Sequence, residues 1–140
     1  EVPRPSREVI ASSTDRLRRG QANFARTGGI HAAAALDRDG EVLALAEDVG
    51  RHNAVDKVVG ALLYERRVGC GAAGAGGAED GPALLVVSGR TSFEIVQKAA
   101  VARIPAVAGV SAPTSLAVDL AHRAGMTLAG FVREGRLNLY

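Results

Sequence analysis

The sequence is poor in cysteine, since Cys70 is the only one among its 140 residues. A single thiol excludes an intramolecular disulfide and any zinc site built from several thiolates, and it is typical of proteins in a reducing compartment. No apolar run approaches the ~20 residues that cross a bilayer, and residues 1–5 lack the features of a signal peptide. We therefore expect a cytoplasmic protein without membrane contact.

Lysine is almost as scarce as cysteine. Lys57 and Lys98 are the only two, so arginine supplies most of the 17 basic side chains, and the net charge is +2. That excess is too mild to indicate a nucleic-acid partner. Arginine's planar fork suits carboxylates and phosphates, although an arginine- and alanine-rich composition also follows from genomic base bias. At 47% hydrophobic and 23% charged, residues 1–140 are expected to form a single globular domain.

The spacing of apolar residues predicts alternating helices and strands. Helical spacing favours helices over residues 6–24, 50–67 and 91–103 and a fourth that opens at 113–114. Short apolar runs favour strands over residues 30–36, 41–48, 83–87, 106–110, 127–132 and 137–140. A leading hairpin followed by βαβ crossovers predicts a three-layer α/β/α sandwich around a mixed sheet.

Polar residues crowd the predicted junction between the second strand and the second helix, at residues 47–57. The segment places Arg51, His52 and Asn53 among acidic side chains. Convergent polar groups at a helix N-terminus make an anion pocket, and ligands on α/β sheets gather at the carboxyl ends of strands. We therefore favour a functional site at this junction.

A structural explanation of the same junction stays open. Asp48 or Asn53 caps the helix in this alternative, and i,i+4 pairs join Asn53 to Lys57 and His52 to Asp56. Capping needs only one such residue, so it leaves most of the polar side chains unexplained.

A second polar cluster, residues 88–94, follows a predicted buried strand. Gly89 permits close approach of a ligand to the backbone, and Arg90 can form a fork on a phosphate. An ordinary capping box, with Thr91 as the cap and Glu94 three residues later, is the alternative. The spacing alone does not decide between the two, because the box leaves Ser88, Gly89 and Arg90 without a role.

The third cluster is more typical of structural roles. Gly28 and Gly29, which follow Thr27, suit the end of a helix, and His31 lies at the edge of a predicted strand. A histidine in that place is more often structural than catalytic.

Residues 68–82 are rich in glycine and alanine and are expected to be a flexible surface loop within the domain. Cys70 lies in this segment. Neighbouring arginines would lower the pKa of a thiol, but a catalyst in a flexible loop is poorly positioned. We therefore interpret Cys70 as an incidental free cysteine.

The order of predicted elements resembles the cytidine-deaminase architecture. Those enzymes hold zinc through His or Cys, with a nearby Glu, at one helix start and Cys-x-x-Cys at the next. The corresponding places here, residues 51–54 and 88–91, supply no thiolate. His31 and His52 alone cannot complete a tetrahedral site. The sequence therefore predicts this fold without its zinc site and excludes zinc deamination.

Four strings of the sequence together resemble the FdhD family, the formate dehydrogenase accessory sulfurtransferases. They stand in the family's order and are TGGIH at 27–31, EDVGRHNAVDK at 47–57, SGRTSFE at 88–94 and APTSLA at 112–117. The resemblance extends over residues 27–140. Several motifs in one order are far more specific than any single motif, and the string EDVGRHNA is distinctive by itself.

The resemblance implies a deaminase-like α/β/α domain without zinc, and a homodimer. It also implies a sulfur carrier protein required for formate dehydrogenase activity. Such a protein transfers sulfur from the persulfide of a cysteine desulfurase to the molybdenum cofactor, bis-molybdopterin guanine dinucleotide, before cofactor insertion. The expected partners are therefore a cysteine desulfurase and formate dehydrogenase.

The sequence departs from that family in one respect. The family's persulfide cysteine lies in an upstream Cys-Gly-x-Cys-Gly type loop, and this sequence contains no Cys-x-x-Cys. Cys70 is in the wrong place to substitute for it. We therefore expect only the C-terminal, cofactor-binding part, with the N-terminal subdomain and cysteine loop absent. No residue of this chain is assigned a catalytic role, and we expect no persulfide turnover from it alone.

The candidate cofactor-binding residues come from the three clusters and from the stretch 131–136, which the resemblance associates with the cofactor. Four arginines are the first candidates for the pyrophosphates: Arg51, Arg90, Arg133 and Arg136. The remaining candidates are Thr27, Gly28, Gly29, His31, His52, Asn53, Asp56, Ser88, Gly89, Ser92, Phe131, Val132, Glu134 and Gly135.

Carboxylates are candidates for reading the guanine edge, because they pair well with its N1–H and amino group. The candidates are Asp48, Asp56 and Glu94. Two other functions stay open. One is a non-enzymatic chaperone that binds the molybdenum cofactor or a guanine nucleotide. The other is an unrelated nucleotide-handling enzyme with His52 and Asp56 as acid and base.

Overall fold

The computed structural model describes residues 4–21, 26, 28–68 and 81–140. The helices named here are α1 (Arg7–Arg19), α2 (Arg51–Tyr64), α3 (Phe93–Val101) and α4 (Ser115–Arg123). The strands are β1 (His31–Leu36), β2 (Val42–Asp48), β3 (Leu84–Val87), β4 (Ala106–Gly109), β5 (Thr127–Arg133) and β6 (Arg136–Leu139). This order is the predicted one. Cys70 and most of the glycine- and alanine-rich segment lie outside the described residues.

The strands form one mixed six-stranded sheet in the order β2-β1-β3-β4-β5-β6. β1 is antiparallel to both β2 and β3, β3 to β5 are parallel, and β6 is antiparallel to β5. Consequently β1 begins, and β2, β3, β4 and β5 end, along the same side of the sheet. We call this side the site edge; it includes His31, Asp48, Val87 and Gly109.

Helices cover both faces of the sheet. Even-numbered residues of β1, such as Ala34, belong to one buried cluster with Leu17 of α1. Odd-numbered residues, such as Ala33, belong to a second cluster with Val55 of α2 and Ile95 of α3. Because successive residues of a strand point to opposite faces, one short strand serves both clusters. The predicted three-layer α/β/α sandwich is confirmed.

Two helices end earlier than predicted. α1 begins as expected, since the Ser6 hydroxyl accepts from the Val9 N–H, but it ends at its C-cap Gly20. A Cβ at Gly20 would overlap a δ-methyl group of Leu45 in β2, so the Leu45 side chain would have to shift to accommodate any other residue there. α2 ends at Tyr64 because Arg66 adopts a left-handed backbone, with φ of 58°. No helix in the described ranges is long and apolar enough to cross a membrane.

Candidate functional site

The polar segments predicted from the sequence meet at the site edge. His31 pairs with Asp48 across β1 and β2, and β3 ends close by at Val87. The next residue, Ser88, is bonded twice to Ala32. Its hydroxyl accepts from the Ala32 N–H at 2.9 Å, and its own N–H donates to the Ala32 carbonyl at 3.0 Å. The turn after β3 is thereby fixed against the start of β1.

Asp48 braces the junction between β2 and α2. Its Oδ1 accepts from the Gly50 N–H at 2.9 Å and from Asn53 Nδ2 at 3.3 Å, and its Oδ2 lies 2.7 Å from Lys57 Nζ. Lys57 also donates to the Glu47 carbonyl at 3.1 Å. The hydrogen bond from Lys57, followed by that from Gly50, lowers the pKa of Asp48 from 3.8 to about 2. The carboxylate is thus already engaged by the protein, which makes it a poor reader of a guanine edge.

The structural explanation offered for this junction was wrong in its details. Gly50 is the N-cap of α2, without a side-chain cap, and Asn53 lies inside the first turn. Asn53 and Lys57 do not pair with each other; both donate to Asp48. Asp48 is fixed at the end of β2, so its carboxylate can accept hydrogen bonds from Asn53 and Lys57 at once.

The predicted pair between His52 and Asp56 was also wrong. Both side chains cross to the neighbouring helix instead. His52 Nε2 lies 3.1 Å from Ser92 Oγ, and Asp56 forms an ion pair with Lys98. α3 packs beside α2 and brings these partners within reach, a contact that spacing along one helix cannot reveal.

Arg51, His31 and Gly89 form a compact group at the site edge. A Cβ at Gly89 would lie 3.2 Å from His31 Nδ1 and 3.8 Å from Arg51 Cδ. The Nε of Arg51 is buried and has no hydrogen-bond partner in the described part of the chain. A buried donor without a partner costs roughly 1–3 kcal/mol, and a guanidinium binds oxyanions through paired N–H groups. An anionic ligand at this position would supply the missing partner.

The second cluster begins α3 differently from the predicted capping box. Ser92, not Thr91, is the N-cap, and Thr91 is fully buried. The Thr91 carbonyl accepts from the Thr114 N–H at 3.0 Å, and Thr91 forms an isolated parallel bridge with Pro113. Glu94 lies in the first turn, where its own backbone N–H and then the Ser92 hydroxyl lower the pKa of its carboxyl group.

The segment after β4 is part of this edge, a role that sequence reasoning missed. The Ser111 carbonyl accepts from the Phe131 N–H at 3.2 Å, and Pro113 Cδ would lie 2.8 Å from a Cβ at Gly130. The predicted helix start is confirmed, because the Thr114 hydroxyl accepts from the N–H of the third residue after it. The sequence did contain one indication of this role, because the segment directly follows a buried strand, as residues 88–91 do.

The stretch 131–136 lies at the same edge but toward its far side, where β5 turns into β6. Arg133 and Arg136 are exposed and occupy paired positions of this hairpin, while Phe131 and Glu134 adopt left-handed backbone with φ of 53° and 51°. Two like charges at paired positions repel each other unless an anion lies between them. No hydrogen bond among the described residues joins this hairpin to Arg51, so the candidate residues form two groups.

A pocket of about 280 Å³ opens at the site edge on the α1 side of the sheet. Four candidate residues line it, Gly28, Gly29, His31 and Ser88, whereas Thr27 lies outside the described residues. The contribution of α1 was missed. Its lining residues are Thr14, Leu17 and Arg18, and Gln21 adds a fourth just beyond the C-cap of the helix. Their helical spacing was visible in the sequence, but nothing in it indicated that this stripe faces the site edge.

The mixed sheet between helix layers, with polar groups where α2 and α3 begin, defines a domain of the cytidine deaminase-like fold. A structure of NE0047 in complex with 8-azaguanine matches at a TM-score of 0.62 and 18% identity, over 89% of this chain and 77% of that one. That likeness shows the fold alone. Within the described ranges, no group of three or more His, Cys, Asp or Glu side chains is placed to hold a metal ion.

The chain belongs to the FdhD/NarQ family, whose sequence model matches residues 2–140. The sulfur carrier protein FdhD of Anaeromyxobacter dehalogenans is 61% identical over 132 residues, which is 94% of this chain and 44% of that protein. The protein of the same name from Streptomyces avermitilis is 51% identical, over 95% of this chain and 44% of that protein. The resemblance stated from the sequence motifs is confirmed.

A solved structure leads to the same family. A protein from Desulfotalea psychrophila, described as a formate dehydrogenase accessory protein, matches at a TM-score of 0.76 and 30% identity. The match covers 99% of this chain and 54% of that one. The chain therefore spans about half of that structure and less than half of the curated relatives.

Proposed function

We propose that this chain is the cofactor-binding part of a sulfur carrier protein required for formate dehydrogenase activity. The proposed substrate is the molybdenum cofactor as bis-molybdopterin guanine dinucleotide. This chain holds the cofactor while it receives sulfur that a cysteine desulfurase has delivered as a persulfide, before insertion into formate dehydrogenase. Relatives named as sulfur carrier proteins and a neighbour described as a formate dehydrogenase accessory protein support this role.

The observation that carries the proposal is the unpartnered Nε of Arg51 beside Gly89. A dinucleotide presents pyrophosphates, and an arginine fork next to a side-chain-free backbone suits such a group. The first turns of α2 and α3 add the positive ends of two helix dipoles at the same edge. Arg90 lies on the turn between β3 and α3 and is exposed, free to close over an anion.

The second group of arginines suits a second anionic position. A bis-dinucleotide carries two pyrophosphates, and Arg133 and Arg136 form a separate cationic hairpin on the same edge. In this proposal Arg51 and Arg90 bind one pyrophosphate, and the hairpin binds the other.

Sulfur chemistry belongs to a part of the protein outside this chain. The sequence has one cysteine and no Cys-x-x-Cys. We expect this chain to bind the cofactor, to form a homodimer and to perform no persulfide turnover by itself. Mass spectrometry that detects a persulfide on Cys70 after incubation with a desulfurase, followed by transfer of that sulfur to the cofactor, would contradict this part of the proposal.

Calorimetry with guanosine diphosphate tests the binding role. Replacing Arg90 and Arg136 together by alanine should weaken binding about tenfold or more, because each removes a charge-assisted contact. The double replacement of Arg38 and Arg123 is the matched control. It removes the same charge from exposed positions in the β1–β2 turn and at the end of α4, away from the site edge. Equal affinities in both double variants would overturn the proposal.

The alternative function, that of a non-enzymatic cofactor chaperone, would use the same binding residues. The longer family protein distinguishes the two functions: sulfur transfer to bound cofactor identifies the carrier, and binding without transfer identifies the chaperone.

A further inference from the structure

The hydrogen bond between His52 Nε2 and Ser92 Oγ, 3.1 Å long, can be donated from either side. A neutral imidazole carries its proton on one nitrogen only, and a hydroxyl has a single proton. If Ser92 donates, the imidazole proton lies on Nδ1. If His52 donates, the proton lies on Nε2, and Nδ1 is an acceptor. The direction of this bond therefore decides which nitrogen can take a proton from a ligand.

The position of Glu94 indicates that direction. Glu94 lies in the first turn of α3, two residues after the N-cap Ser92. Its carboxyl group bonds first to its own backbone N–H and second to the Ser92 hydroxyl, and these bonds hold its pKa below the ordinary value of 4.5. The nearby side chains of His52 and Arg51 act in the same direction. The carboxylate is therefore ionised at neutral pH, and an ionised carboxylate can only accept hydrogen bonds.

We infer that Glu94, acting through the Ser92 hydroxyl, is a positioning residue that fixes His52 in the Nε2–H tautomer and leaves its Nδ1 as a proton acceptor. The Ser92 hydroxyl gives its single proton to Glu94, so its oxygen accepts from His52 Nε2–H. Ser92 is 7% exposed, which limits the access of water to the middle of this chain of hydrogen bonds. A hydrogen bond to an ionised acceptor is stronger than a neutral one, and it therefore sets the order.

The neighbouring cation on α3 does not compete for Glu94. Lys98, one turn farther along α3, forms an ion pair with Asp56 of α2. Both residues line the same groove between α2 and α3 as Glu94 does. Because Lys98 is already paired across the groove, the Glu94 carboxylate keeps its hydrogen bond to Ser92.

The acceptor nitrogen belongs to a residue of the site edge. His52 is half-buried in the first turn of α2, and its Nδ1 has no hydrogen-bond partner among the described residues. It directly follows Arg51, whose buried Nε belongs to the anion-binding group. The imidazole is thus held at one nitrogen by the protein, and the other nitrogen can take up a proton beside the bound anion.

A proton acceptor at this place deepens the proposed function. Sulfur is reactive as the anion, so a sulfur that arrives as S–H must lose its proton first. When the proton passes to His52 Nδ1, an S–H bond breaks and an N–H bond forms, without a change of oxidation state. The resulting imidazolium lies one hydroxyl away from the Glu94 carboxylate. This use of the acceptor rests on the proposed function, whereas the tautomer does not.

Nitrogen-15 NMR of the imidazoles measures the tautomer directly. Spectra are recorded at about pH 8.5, where histidine is neutral, and His52→Gln assigns the signals among the three histidines. Wild type should show the unprotonated nitrogen of His52 at Nδ1. In Glu94→Gln the amide can donate to Ser92, whose hydroxyl then turns toward His52. The fraction of Nδ1–H tautomer should therefore rise severalfold in that variant.

Two further variants and a control complete the comparison. Ser92→Ala should relax His52 toward the tautomer mixture of the exposed His122, and Ser92→Thr should restore the wild-type tautomer. Glu41→Gln makes the same change at an exposed position before β2 and should leave His52 unchanged. An Nδ1–H tautomer in wild type, or an unchanged tautomer in both Glu94→Gln and Ser92→Ala, would overturn the inference.

Sulfur transfer by the longer family protein tests the use of the acceptor. Glu94→Gln should slow transfer about tenfold or more, the size of a general-base effect. It should not weaken pyrophosphate binding, because it removes a negative charge near Arg51. A changed tautomer with an unchanged transfer rate would contradict the role of Glu94 in transfer. A wild-type protein that binds neither cofactor nor pyrophosphate would instead reject the proposed function and leave the tautomer result intact.

Discussion

His52 and Ser92 join the starts of two helices, with 3.1 Å between the imidazole Nε2 and the hydroxyl oxygen. Zinc deaminases place metal ligands at the starts of the two corresponding helices. In this chain a hydrogen bond between two side chains spans the same gap. The contact connects the first turn of α2 to the N-cap of α3 and so fixes the spacing of the positive helix ends.

A double-mutant cycle on this pair should show coupling. His52→Ala and Ser92→Ala, singly and together, should give a coupling free energy of about 0.5–1.5 kcal/mol in unfolding by denaturant. Ser92→Ala removes no cap hydrogen bond, because the Ser92 side chain makes none, but it also removes the hydroxyl that bonds the Glu94 carboxyl group, so only the coupling term reports on His52. Thr114→Ala is the comparison, since its cap bond should cost about 0.5–2 kcal/mol. Strictly additive effects of His52→Ala and Ser92→Ala would refute the bridge.

Gly89→Ala should impair binding more than folding. Its Cβ would lie 3.2 Å from His31 Nδ1, so the imidazole beside Arg51 would have to move by a few tenths of an ångström. We expect affinity for pyrophosphate to fall severalfold while the free energy of unfolding changes by less than about 1 kcal/mol.

Gly109→Ala should impair folding more than binding. Its Cβ would lie 2.6 Å from Thr91 Oγ1 in a fully buried place, so the substitution should cost about 1–3 kcal/mol of stability. Chemical denaturation and calorimetry on both variants check the pair. A stable Gly89→Ala variant with wild-type affinity would remove Gly89 from the binding group.

Arg51→Lys should weaken pyrophosphate binding about tenfold. Lysine keeps the charge but lacks the Nε donor and the planar fork, and one charge-assisted hydrogen bond contributes about 1.5 kcal/mol or more. The matched control is Arg38→Lys in the exposed turn between β1 and β2, which should bind as wild type. Calorimetric affinity is the measurement, and equal values for wild type and Arg51→Lys would contradict the role of the buried Nε.

Asp48 should make stability depend on pH in the acid range. Its pKa of about 2 in the folded chain lies below the ordinary value of 3.8, so the folded state prefers the charged form. The contribution is complete above the unfolded value and is lost as pH falls toward the folded value. The stability difference between wild type and Asp48→Asn should be largest above about pH 5 and shrink toward about pH 2. Thermal midpoints of both proteins across that range test this, and a constant difference would contradict it.

The fold was predictable because its signals are local. The hairpin of β1 and β2 follows from a turn in which Gly40 has φ of 90° and the Asp37 carboxylate accepts from two N–H groups. The central strands β3 and β4 follow from short, wholly apolar runs that are buried in full. Such patterns specify elements and their order without reference to distant residues.

The site was predictable only in its location. The structural alternative paired His52 with Asp56 by sequence proximity, but α3 supplies better-placed partners, 40 residues away in one case and 42 in the other. The pocket-lining residues of α1 could not be predicted for the same reason. Which helix face meets the site edge depends on how α1 crosses the sheet, and α1 packs mainly against β5 and β3.

The four alanines at 32–35 of β1 bear on the dimensions of the site edge. Alanine is a poor strand former, and all four are at most 2% exposed. Their small volume lets α1 and α2 approach the sheet from opposite sides at short range. β1 thus gives up strand propensity for proximity, since Ala33 and Ala35 belong to the buried cluster that includes Val55 of α2, the helix that begins at Arg51. A valine at either of the α2-facing positions, Ala33 or Ala35, would widen the site edge without altering one polar atom.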